Sequence, residues 1–386
     1  MANSFLKGEE EIITERKFPL EVYFCESCSL VQLLDVINPE VLFRDYIYVT
    51  GTSTTMAEHY RTYARQVVER LQIKNGNLVV EIASNDGSLL KCFQPYGVKV
   101  LGVEPASNIA RLANQSGVAT ENLFFNLRTA EEIHTKYGSA RAVIGNNVLA
   151  HVDDPWDFLS GFKRLLTRDG LVIIEVPYLR ELIDRLEYDT IYHEHLSYFS
   201  ITSLARLFEE VGLSILQIEP VTVHGGSLRI YAGLEDYYGK HSETVLRQVE
   251  IECQDGLKSL EYYLKFAVQV DANRQILVEL LKDLHTQGKT IAGYGAPAKG
   301  NTLLNYCQIS IELLPYTVDK NPLKVGKFSP GMHIPVLPVD TLLERQPDYI
   351  LIMAWNFAEE IMQQQETYRQ RGGQFIIPLP YPKVIQ

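Results

Sequence analysis

From Asn77 onward, apolar runs of strand length (NLVVEIAS, VKVLGVEP, RAVIGNNV and LVIIEVP) alternate with amphipathic segments of helical length. Apolar strands separated by helices build a parallel sheet wrapped on both faces. The block up to about Glu175 therefore predicts a doubly wound α/β core. The alternation restarts in the last hundred residues with KTIAGYG, LPYTVD, YILIMAW and GQFIIPLP, which predicts a second, Rossmann-like unit. Two such units suit a chain of 386 residues, since one domain takes roughly 100–200.

Four segments follow from this pattern: a small N-terminal module with its helix over 1–70, the first α/β domain over 71–234, a helical connector over 235–288 and the second α/β unit over 289–386. The connector carries Leu257, Leu260, Leu264 and Val268 on one face. YHEHLSYFS and VHGGSLRIYAG read as insertions that carry function, because binding and catalytic groups gather on loops over a rigid scaffold.

A net charge of -12 and a pI near 5.3 argue against a nucleic-acid partner, which needs clustered Lys and Arg. No apolar run approaches the roughly 20 residues that span a bilayer. The acidic start MANSFLKGEEEIITERK is unlike a secretory signal, so the expected location is cytoplasmic. Of the five cysteines only Cys25 and Cys28 are spaced to cooperate, either as half of a zinc site or as an ordinary reduced pair. Oligomeric state is not legible.

After Leu78-Val79-Val80-Glu81 comes a tight turn of small and polar residues, Ala83-Ser84-Asn85-Asp86-Gly87, of the kind that lets backbone approach a nucleoside cofactor. Ala83 and Asn85 stand where glycines are usual, and Gly87 is retained. Glu104 ends the next strand, twenty-three residues after Glu81, where a carboxylate can accept both ribose hydroxyls. NAD enzymes share that spacing. The ordered set of Asn146-Asn147 through Asp154-Pro155, followed by a Leu-Leu-Thr-Arg-Asp-Gly turn and LVIIEVP, resembles class I methyltransferases instead.

Tyr192-His193-Glu194-His195 sets four groups able to move protons side by side. If the segment is extended, Tyr192 and Glu194 share one face and His193 and His195 the other, while local bending would join Tyr192 to His195. The runs EYDTIYHEHLSYFS, HGGSLR, GYGAPAKGNTLLNY and CESCSLVQL are together similar to the deoxysugar C-methyltransferase family, over nearly the whole chain and in order. The resemblance implies S-adenosylmethionine as methyl donor and a TDP-linked 4-keto-6-deoxy sugar as substrate. It also implies three domains: a small zinc-binding one, a central methyltransferase and a Rossmann-like C-terminal one.

Methylating carbon requires a carbanion, and a hydrogen beside a ketone is removable only if the enolate is stabilised. A neutral imidazole can take that proton. His195 is the expected base, His151 a second candidate and His193 structural; the resemblance implies that Glu194 orients the imidazole or helps relay its proton and that Tyr192 and Tyr46 donate hydrogen bonds to the sugar or enolate. The donor site is expected to use Glu81, Ala83, Asn85, Gly87, Glu104, Asn146 and Asn147, and the substrate site His224, Arg229, Lys299, Asn301, Lys327 and Trp355. Gly293 to Thr302 follows a strand and opens a helix, a place suited to an anion, and Asp319 mimics a dinucleotide fold. The family's second CxxC lies upstream of the stretch that MANSFL resembles. The expectation is a truncated N-terminus or a lost zinc. Competing readings are an O- or N-methyltransferase, an NAD-dependent sugar-nucleotide epimerase or reductase, and a non-catalytic sugar-nucleotide binder.

Overall fold

The structure is a computed structural model that describes residues 1–44, 54–221 and 226–386. The chain divides into two compact units, one of Val22–Leu179 with Leu196–Lys258, the other of Met1–Glu21, Arg180–His195 and Ser259–Gln386. This differs from the four consecutive segments that the sequence suggests. Residues 1–21 go with the C-terminal unit because Leu6 pairs with Phe328 in both directions. Residues 180–195 go with it because Leu186 and Tyr188 are buried in its core.

The first unit opens with a small antiparallel sheet of β1 (Val22–Phe24), β2 (Val31–Leu33) and a later strand, Ser197–Tyr198. Its main sheet contains β3 (Leu78–Ile82), β4 (Lys99–Val103), β5 (Thr120–Glu121), β6 (Ala140–Asn146) and β7 (Leu166–Pro177). Ser197–Tyr198 is β8, and the sheet closes with β9 (Leu213–Val221) and β10 (Ser227–Leu234). The main order is β5-β4-β3-β6-β7-β10-β9. β3, an interior strand, is buried along its whole length, with Leu78, Val79, Val80 and Ile82 flanking a buried Glu81.

Phe158, Leu159 and Phe162 of the helix Pro155–Leu165 cover one face of the sheet; Tyr63, Ala64 and Val67 cover the other. Asp154 caps that helix and Pro155 opens it, as the Asp-Asp-Pro string predicts. β10 runs antiparallel to both β7 and β9, unlike the all-parallel order of a dinucleotide-binding sheet. SLRIYAGL is thus a buried central strand and not part of a surface insertion.

In the second unit the sheet is built from β11 (Ile291–Tyr294), β12 (Thr317–Val318), β13 (Val336–Leu337), β14 (Tyr349–Ile352), β15 (Gln374–Ile377) and β16 (Lys383–Ile385). The order is β13-β12-β11-β14-β15-β16, parallel except for β16. The helix Leu260–Thr286 buries Val270, Leu277, Leu281 and Leu284 here. The stripe expected from sequence is not the packed one: Leu260, Leu264 and Val268 are 48%, 57% and 70% exposed. The connector is also divided, with the helix Glu243–Asp255 and Leu257 belonging to the first unit. Among the described residues no helix is long and apolar enough to cross a membrane.

Candidate active site

The turn after β3 keeps a glycine-like path without the usual glycines. Ala83 and Asn85 have φ of +55° and +49°, and Gly87 +76°. Asn85 tolerates this region better than Ala83, whose Cβ crowds the carbonyl. At Gly87 a Cβ would also lie 2.9 Å from three side-chain carbons of Val118. Glu104, at the end of β4, accepts the Asn85 and Ala106 backbone N–H groups at 2.9 Å each. Those two bonds leave lone pairs on both oxygens for hydroxyl donors.

Glu81 is 6% exposed, and its Oε2 has no hydrogen-bond partner among the described residues. Burial, with Asp86, Glu104 and Glu175 nearby, holds its carboxyl well above the ordinary range. Asn146 accepts from the Tyr63 hydroxyl at 3.1 Å, and Asn147, with φ of +52°, donates its N–H to the Glu175 carbonyl. His151 ends the short helix Leu149–His151 after β6, its ring edge-on to Phe43 at 5.7 Å.

Arg229 is not at the surface of this unit. Its place in β10 sets it opposite Glu175 in β7, and Nε bonds that carboxylate at 2.6 Å, with both side chains 4% exposed. The guanidinium also lies 3.9 Å over the Tyr63 ring. Inside the fold the charge is met by the Glu175 carboxylate. Tyr46 and His224 lie outside the described residues.

Tyr192 to His195 form a turn rather than an extended segment: the His195 N–H donates to the Tyr192 carbonyl at 2.8 Å. The two corner side chains meet, with Tyr192 Oη 3.1 Å from His195 Nε2. His195 Nδ1 lies 2.9 Å from the Thr190 carbonyl. A carbonyl only accepts, so Nδ1 carries the proton and Nε2 offers a lone pair to the Tyr192 hydroxyl. The Thr190 carbonyl thus orients the imidazole through Nδ1. Glu194 accepts from Asn3 Nδ2 at 2.6 Å.

The glycine turn after β11 does not present a free anion cradle. Asp319, which mimics a ribose-binding carboxylate, accepts the Ala296 N–H at 2.6 Å and the Asn321 N–H at 2.7 Å. Phe5 is buried against Ala296 and Val336, and Lys324 donates to the Ala296 carbonyl at 2.8 Å. Asn301 Nδ2 donates to the Ala2 carbonyl at 2.7 Å. The chain's own N-terminal segment thus covers the turn an NAD pyrophosphate would need.

Lys299 lies 4.1 Å over the Trp355 ring, whose Nε1 donates to Asp189 at 2.7 Å. Burial holds the Lys299 pKa below its ordinary value, opposed by the nearby Asp189 and Glu187 carboxyls of the same unit. Lys327 is half-buried on the turn before β13.

Three family models match the chain: a zinc binding domain over residues 1–43, a methyltransferase domain over 56–218 and a C-methyltransferase C-terminal domain over 222–380. The C-methyltransferase NovU of Streptomyces niveus is 39% identical over 385 residues, which is 100% of this chain and 92% of that protein. The chain belongs to the C-methyltransferases. An uncharacterized methyltransferase of Alkaliphilus oremlandii is 26% identical over 42% of this chain and 79% of its own length. Among solved structures, magnesium protoporphyrin IX methyltransferase from Synechocystis with bound SAM superposes with a TM-score of 0.38 at 16% identity. That match covers 52% of this chain and 99% of the other.

The enzyme is an S-adenosylmethionine-dependent methyltransferase. Its first unit fits the donor: a turn with three positive-φ residues, a carboxylate at the next strand end and an unpartnered buried oxygen on Glu81 are what a nucleoside with a ribose would engage. The segment that the zinc binding domain model matches fits a zinc less well. Cys25 and Cys28 form a tight knuckle in which the Cys28 backbone N–H lowers the Cys25 pKa, a thiolate-favouring arrangement. They supply two of the four ligands a structural zinc takes, and no group of three metal-ligating side chains converges among the described residues.

Sequence reasoning missed Thr190, Asn3, Lys324 and Tyr63. The first acts through its carbonyl, which any residue has. The others act through partners distant in sequence.

Proposed function

We propose that this enzyme transfers the methyl group to the carbon beside the ketone of a TDP-linked 4-keto-6-deoxy sugar. The observation that carries the reading is the Tyr192–His195 pair, with Nδ1 committed to Thr190 and Nε2 left as the basic nitrogen beside a phenol.

His195 Nε2 takes the proton from the carbon next to the ketone, and the C–H electron pair becomes the enolate double bond. The charge gathers on the former ketone oxygen, where the Tyr192 hydroxyl is the matching donor. S-adenosylmethionine, when bound, supplies an electrophilic methyl on a sulfonium. With that donor bound, the enolate carbon would take the methyl in a new C–C bond as the S–CH3 bond broke, and S-adenosylhomocysteine would leave. The imidazolium then returns its proton to water. Glu81, Ala83, Asn85, Gly87, Glu104, Asn146 and Asn147 are the proposed donor contacts. His151 is a further candidate for the chemistry, and Tyr46, also a candidate, lies outside the described residues.

The test is incubation with S-adenosylmethionine and a panel of TDP-, GDP- and UDP-linked 4-keto-6-deoxy sugars, reading the methyl mass increment for wild type and His195→Ala. Solvent deuterium entering the keto-sugar without the donor separates carbon from oxygen or nitrogen chemistry. The expected result is C-methylation lost in His195→Ala with donor binding retained. Donor binding with no sugar methylated would overturn the substrate class.

A further inference from the structure

The turn Tyr192–His195 has two central residues, His193 and Glu194, and both are held by the N-terminal arm of the same unit. His193 Nε2 lies 2.8 Å from the Pro19 carbonyl and its ring is edge-on to Phe18 at 6.1 Å. Glu194, 5% exposed, accepts from Asn3 Nδ2 at 2.6 Å.

The arm is itself anchored at three places. Leu6 and Phe328 exchange backbone bonds at 3.0 and 2.8 Å. Phe5 is buried with Ala296 and Val336, and Glu15 accepts from the Gly331 N–H at 2.9 Å while pairing with His333 at 2.8 Å. A four-residue turn on its own samples many conformations, and each would carry the corner side chains apart. Fixing both central side chains removes that freedom, so the Tyr192–His195 pair is set before substrate arrives.

We propose that Asn3 is a positioning residue for the base, and that the N-terminal arm clamps the turn through Asn3–Glu194 and Pro19–His193. The kinetic part of this proposal rests on His195 acting as the base. The geometric part does not.

The test compares Asn3→Ala, His193→Ala and the double variant in the full chain. Each single change is expected to lower kcat about tenfold and leave KM for S-adenosylmethionine within about twofold. The double variant should lose less than the product, since both bonds hold one turn. In a long-range 1H–15N spectrum the His195 imidazole should change from the Nδ1–H tautomer to a mixture. A merely structural role would not produce that signature without a change in donor KM. Wild-type kcat and an unchanged His195 tautomer in the double variant would overturn the proposal. Should the double variant melt, Asn3→Ala alone carries the test. If wild type methylates no keto-sugar, the functional reading fails while the spectrum still decides the clamp.

Discussion

The Thr190 carbonyl and His195 Nδ1 lie 2.9 Å apart, and this one bond decides which imidazole nitrogen is basic. With Nδ1 protonated, the Tyr192 hydroxyl is a donor to Nε2 in the resting enzyme and can turn to an enolate oxygen when the substrate ketone arrives.

Tyr192→Phe should therefore leave the His195 tautomer intact and lower kcat about 10²-fold, the usual loss when one donor to a developing oxyanion is removed. Solvent deuterium exchange into the keto-sugar should slow with it. Unchanged kcat in this variant would remove Tyr192 from the chemistry.

Ala83 is strained and Gly87 is required. At φ of +55°, Ala83 sits where an L side chain costs roughly 1–2 kcal/mol, while glycine's extra unfolded freedom costs roughly 0.5–1. Ala83→Gly should stabilise the first unit by about 0.5–1 kcal/mol with donor affinity retained. Gly87→Ala combines a positive φ with carbons 2.9 Å from Val118 and should destabilise by roughly 2 kcal/mol or more while weakening donor binding. Urea denaturation with isothermal titration of S-adenosylmethionine checks both, and a stabilised Gly87→Ala would contradict the account.

The two sheets were legible because NLVVEIAS, LVIIEVP and YILIMAW can be buried only as central strands. The antiparallel insertion of β10 was not legible, since SLRIYAGL contains an arginine and a glycine-rich approach that read as a loop. What hides Arg229 is a partner 54 positions away, Glu175, that makes burial of its charge tolerable. The Tyr192–His195 segment was recognised by its chemistry, but its shape depends on Asn3, 191 positions from Glu194. Local periodicity carries no information about contacts of that range. The connector failed for a related reason: several faces of Leu260–Thr286 carry apolar residues, and only packing selects the one with Leu277 and Leu281.

Glu187 should make stability depend on pH. Its carboxyl is pushed up to about 7 by burial, against 4.5 when unfolded. The folded state then binds more protons than the unfolded chain between those values, so stability falls as pH rises from 4.5 to 7 and the loss is complete above that. The shift corresponds to at most about 3–4 kcal/mol. Glu187→Gln should flatten this slope in denaturant titrations at pH 5, 6 and 7. Equal slopes in both proteins would show that the carboxyl ionises at its ordinary value.

Lys299 discriminates between a substrate contact and an internal counter-ion. Asp189 is fully buried, takes one bond from Trp355, and has its other oxygen unpartnered among the described residues; the charge nearest in sign to compensate it is Lys299. Removing that charge leaves a buried carboxyl without its nearby cation, which destabilises the unit. Lys299→Met should accordingly lower the melting temperature of the second unit, and adding Asp189→Asn should recover much of the loss, because no buried charge then remains and the amide oxygen still accepts from Trp355 Nε1. If Lys299 holds the sugar's diphosphate instead, Lys299→Met will raise KM for the nucleotide sugar at unchanged stability, and Asp189→Asn will not rescue it. Thermal melts and substrate KM on the same two variants separate these outcomes.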